Sequence, residues 1–163
     1  MDKKLPDAED DRDRAILGDI RRIGWSVIQI NPDNPNDPGP LYSFSVGLVH
    51  THDHPEIILL GLKHAIAGQI INNIGGLVLL GQRIEPGRVY NDLASVPLVF
   101  VEVDPAYYSK YVAYALWLCG GSNFPMLQCV WPLKSGHFPW EEGYDKRGAA
   151  IQPLLGRRNP HPS

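Results

Sequence analysis

YSFSVGLVHTHDHPEIILLGL, residues 42–62, decides how the rest of the chain must pack. Tyr42, Phe44, Val46 and Leu48 alternate with Ser43, Ser45 and Gly47, the period of two that marks a half-buried strand. Ile57–Leu60 is an unbroken apolar run, as in a strand covered on both faces. A tight, histidine-rich turn between them predicts a hairpin at the centre of a sheet.

Working outward, Ile16, Ile20 and Ile23 fall on one helical face, with Asp7 or Asp10 as cap and Gly24 as stop. Trp25–Ile30 reads as a short strand, followed by the proline-rich loop NPDNPNDPGP. Beyond the hairpin, Ala67, Ile70, Ile71, Ile74, Leu77 and Val78 make one apolar stripe, so Lys63–Leu80 is a helix ended by Gly81. Gly75 and Gly76 weaken its last turn or allow a close approach. Pro97–Val103 is a strand, and Asp104-Pro105 opens a helix running to Cys119. Met126–Trp131 is the last strand, and a turn-rich stretch follows. The order is no βα repeat. It predicts one α+β domain over residues 15–155: a mainly antiparallel sheet of five or six strands, with about three helices on one side. A partly closed barrel is the variant. Residues 1–14, dense in charge, and 156–163 are expected to be loose ends.

With 163 residues, 44% hydrophobic and 20% charged, the chain is long enough to bury a core of its own. A net charge of −3 gives no basic field for nucleic acid or anionic lipid. The start carries no apolar signal segment, and polar residues interrupt every long apolar region, so a cytoplasmic protein without a membrane span is expected. Cys119 and Cys129 are then expected to be reduced, with Cys129 buried on its strand.

Two constellations carry chemistry. His50, His52, His54 and Glu56 would share one face of a straight strand, as a metal site needs, but Asp53-His54-Pro55 looks like the turn itself. The stretch reads first as a surface turn, with no metal assigned. A metal-dependent hydrolase and acid–base use of one histidine are the alternatives. The second is QCVWPLKSGHFPWEE, residues 128–142. Trp131 and Trp140 beside prolines either stiffen an irregular segment or wall a pocket with His137 as a polar group. Phosphate-loop, dinucleotide and hydrolase-elbow motifs are absent.

Taken together, YSFSVGL, HPEIILLGL, LQCVWP, GHFPWEEG and QPLL make the chain resemble the bacterial family called domain of unknown function 4262, over about Gly24–Leu155. The resemblance implies a bacterial cytoplasmic domain and singles out Glu56 and Gln128 as matching polar positions. Where the family tends to have Trp-Pro-Asp, this chain has Trp131-Pro132-Leu133.

The expected function is binding of an unknown small molecule or protein in a groove between strand 42–49 and the Trp-Pro segment 131–140. Ser43, Ser45, Glu56, Gln128, Trp131, His137 and Trp140 are its candidate residues. The small side chains of Ser43, Ser45 and Gly47 leave room for a guest, unless a helix fills it. A flavin-binding oxidoreductase like the split-barrel reductases is the alternative, by fold-level analogy.

Overall fold

A computed structural model describes residues 4–32, 35–36 and 39–156. Helix α1 (Asp11–Ile23) starts where the Asp10 side chain accepts the Asp13 N–H, and it ends at Gly24. Ile16, Leu17 and Ile20 form its buried stripe, while Ile23 is 40% exposed. Leu17 thus takes the place expected of Ile23. Ahead of and at the start of this helix, Leu5 and Ala8 pack on the core and Asp13 is buried. The tail 157–163 lies outside the described residues.

Among the described residues there are six strands: β1 (Ser26–Ile30), β2 (Tyr42–Val46), β3 (Glu56–Leu60), β4 (Val89–Tyr90), β5 (Leu98–Glu102) and β6 (Met126–Val130). They form one sheet in the order β1-β2-β3-β6-β5-β4. Every pairing is antiparallel except β3 with β6, where Ile58 stands opposite Gln128. The sheet is open, with β1 and β4 at its edges, so the partly closed barrel does not form.

Among the described residues there are six α-helices and one 3₁₀ turn, where about three helices were expected. The turn of the central hairpin is itself a short helix, α2 (Leu48–His52). Helix α3 (His64–Leu79) is the longest. The expected helix 104–119 is broken into a 3₁₀ turn (Pro105–Tyr107), α4 (Tyr108–Tyr111) and α5 (Ala113–Cys119). The break falls at Val112, whose φ of −126° and ψ of 52° leave the helical region. A last turn, α6 (Gly148–Ile151), precedes the C-terminal segment.

The helices lie on both faces of the sheet, not on one. Tyr42, Phe44, Val46, Ile58 and Leu60 pack with α1, α4 and α5. On the other face Ile57, Leu59, Phe100, Leu127 and Cys129 pack under Ala67, Ile70, Ile71, Ile74 and Val78 of α3. β3 and β6 are buried along their whole length because both of their faces are covered. Among the described residues no helix is long and apolar enough to cross a membrane.

Gly75 sits where α3 meets Trp25. A Cβ there would lie 2.3 Å from the indole ring, and the indole N–H donates to Asn72 Oδ1 at 3.0 Å. Close approach is therefore the reason for this glycine. Gly75→Ala gains about 1 kcal/mol of helix propensity, yet overpacking of about 1–3 kcal/mol should outweigh it. A lowered melting temperature is expected, and a raised one would show that the indole moves aside freely.

Candidate functional site

The residues singled out in the sequence fall into four places. The first is a fork in the sheet. β2 and β3 pair from Tyr42–Leu60 to Phe44–Ile58 and then part, while β2 continues beside β1 to Val46. Side chains fill the gap. Ser45 Oγ accepts the Ile57 N–H at 2.9 Å and donates to Glu56 Oε1 at 2.7 Å. Glu56 also accepts from the backbone N–H groups of Gly47 at 3.0 Å, Leu48 at 3.1 Å and Val49 at 3.2 Å. Each carboxylate oxygen thus receives two donors. Gly47 makes this turn at φ +113°, where a Cβ would meet Ile20 at 2.8 Å.

Glu56 and Ser45 are both fully buried. Burial pushes the Glu56 carboxyl up to about 7, against the downward pull of its four donors. Ser43 is also fully buried. Its Oγ lies 3.3 Å from His64 Nδ1, at the start of α3, which packs across β1 and β2. The helix thus occupies the room above Ser43, as Ile20 of α1 does at Gly47.

His54 is fully buried one turn further on. Its Nε2 accepts the Ile84 N–H at 3.0 Å, so Nδ1 carries the proton and donates to the Pro55 carbonyl at 2.8 Å. His50 and His52 stand half-buried on α2. Among the described residues no group of three or more His, Cys, Asp or Glu gathers as a metal would require. The turn that breaks the period is helical, and it separates the four side chains.

Burial, and secondarily the nearby Arg83 and His52, hold the His54 imidazole below its ordinary 6.5, outweighing the Pro55 carbonyl. The unfolded chain takes up this proton as pH falls through 6.5, whereas the folded chain resists it. The stability gained from neutral His54 is therefore full above that value and lost as pH falls below it. Between about pH 7 and about pH 5.5, wild type should lose more stability in urea unfolding than His54→Gln. Equal losses would mean that His54 titrates alike in both states.

The third place is the end of β6. The Gln128 amide donates to the Pro153 carbonyl at 2.9 Å and accepts the Leu155 N–H at 2.9 Å. Gln152 returns the arrangement: its Oε1 accepts the Trp131 N–H at 3.0 Å and its Nε2 donates to the Trp131 carbonyl at 2.9 Å. The Trp131 indole N–H donates to the Leu60 carbonyl at 2.9 Å, and its ring packs on the α3-side core. Gln128 and Trp131 therefore hold backbone. The sequence reading missed Gln152, although QPLL was among the motifs; an isolated glutamine carries no periodic signal. Cys129, beside Gln128, is fully buried, and burial raises its thiol pKa far above the usual range. It forms no disulfide with Cys119.

Trp140 and His137 lie in the turns beyond. His137 Nδ1 is 2.9 Å from Ser135 Oγ, and the Glu141 carboxylate accepts the Phe138 N–H at 2.7 Å. Trp140 stacks on Phe138 with ring centroids 5.1 Å apart and planes 4° from parallel. Both rings are half-buried and belong to neither core cluster. Beside them opens a hollow of about 380 Å³ lined by Pro139, Glu141, Tyr144, Lys146, Gln152 and Leu154. The Tyr144 hydroxyl is buried against Gly148 near the Gln152 amide, without a hydrogen bond of good geometry.

The sequence profile of the family described as Domain of unknown function (DUF4262) matches residues 19–145, well over half of the chain. The chain belongs to this family. Residues 19–145 hold all six strands, the Glu56 fork and the Phe138–Trp140 pair, whereas Gln152 and Leu155 lie beyond the match. No curated protein and no solved structure matches the chain significantly.

Proposed function

We propose that this member of the DUF4262 family is a non-catalytic binding domain, and that its contact surface is the outer side of the Trp-Pro segment. The carrying observation is the Phe138–Trp140 stack, two large parallel rings that stay partly exposed beside the hollow at Pro139 and Tyr144. Rings in that setting offer a rigid apolar platform at small entropic cost, and Glu141 and Lys146 line the adjoining hollow, where they would orient a guest. Ser45, Glu56, Gln128 and Trp131 belong to the frame in this reading, since their polar atoms already serve the backbone.

Trp140→Ala tests it. The variant should melt within a few degrees of wild type, because the ring joins neither core. It should also lose the small molecule or protein that wild type retains through gentle purification, read by native mass spectrometry. Retention of the same species by a folded variant would overturn the proposal. Collapse of the fold would make the segment structural instead.

A further inference from the structure

We propose that the seat of residues 152–155 is a groove for an extended peptide, filled here in cis by the chain's own C-terminal segment and open to a second peptide of the same chemistry. The segment is recognised as a peptide ligand is. Gln128 reads Pro153 and Leu155 through one carbonyl and one N–H, the two groups that an adjacent strand would pair. Trp131 presents its backbone N–H and C=O to the Gln152 amide. The Asp104 N–H donates to the Leu155 carbonyl at 2.8 Å, and the Leu155 side chain is 1% exposed in the core. Gly61 borders the entry to the groove: a Cβ there would lie 2.5 Å from the carbonyl oxygen of Ile151, the residue just before the segment, so only glycine lets the backbone come so close.

In this proposal the segment can leave without breaking the sheet. None of its bonds belongs to a strand ladder, so lifting residues 152–155 unzips no pair of the sheet. The connection back to β6 is a series of turns, closed by Glu141 with Tyr144 and Asp145 with Gly148. Gly61, Asp104, Gln128 and Trp131 lie within the family match, and the segment that fills their groove lies beyond it. The occupant that fits is an extended stretch with a side-chain amide, then proline, and a buried leucine three residues after the amide.

Hydrogen exchange on the full wild-type chain tests the opening. The amides of Asp104, Trp131 and Leu155 should exchange together, at least about 10-fold faster than the ladder amides of β6. A fluorescent peptide AAIQPLLG, residues 149–156, tests the groove. It should bind full-length Gln152→Ala, whose own segment is loosened, at least about 10-fold more tightly than wild type. A peptide carrying Leu155→Ala should fail to bind. Exchange of the three amides at the β6 rate would overturn the proposal, as would a folded Gln152→Ala chain that takes no peptide. If that variant does not fold, the exchange rates alone decide.

Discussion

Glu56→Ala is expected to destabilise the protein by about 3–5 kcal/mol, the largest effect of any single polar substitution in the chain. Three backbone N–H groups and the Ser45 hydroxyl converge on that carboxylate in a fully buried site. Alanine leaves these donors facing a void where no solvent compensates them. Glu56→Gln should fall between the two. Its carbonyl keeps two donors, but its amide nitrogen meets the other two as a third donor. The comparison belongs at about pH 8, above the raised carboxyl value, so that wild type carries the anion. Equilibrium urea unfolding gives the difference. A loss under about 1 kcal/mol for alanine would mean that the fork holds without its carboxylate.

The second large effect separates the two tryptophans that the sequence presents as a pair. Trp131→Ala should cost about 3 kcal/mol, because the ring packs on the α3-side core and its N–H satisfies the Leu60 carbonyl. Trp140, stacked on Phe138 outside both cores, should cost far less. Denaturant midpoints of both variants, measured together, check the contrast. Equal losses would return Trp140 to the frame and withdraw it as a contact residue.

Much of the fold was legible because its signals are local. The alternation of Tyr42–Val46 and the apolar run Ile57–Leu60 place both central strands, and Gly24 marks the end of the first helix. The run at Ile57–Leu60 also says that both faces are covered. That conflicts with helices on one side only, and the sheet follows the run. The helical turn at Leu48–His52 was not legible: Gly47 and the Glu56 carboxylate hold it, and a carboxylate eight residues away has no periodic signature. The candidate residues show the same division. Glu56, Gln128 and Trp131 stand out as unusual polar or aromatic positions, but whether each faces a guest or the backbone depends on its partner.

Periodicity and caps place the main elements from the sequence alone, which also lacks phosphate-loop, dinucleotide and hydrolase-elbow motifs and carries the family profile. Packing alone brings His64 of α3 to Ser43, sets Glu56 under the N–H groups that open α2 and His54 on the Ile84 N–H, and lets Gln128 and Gln152 clasp the C-terminal segment. The physical reason is common to all three. A buried polar side chain must find a partner, and here that partner is set by contacts that local sequence does not encode.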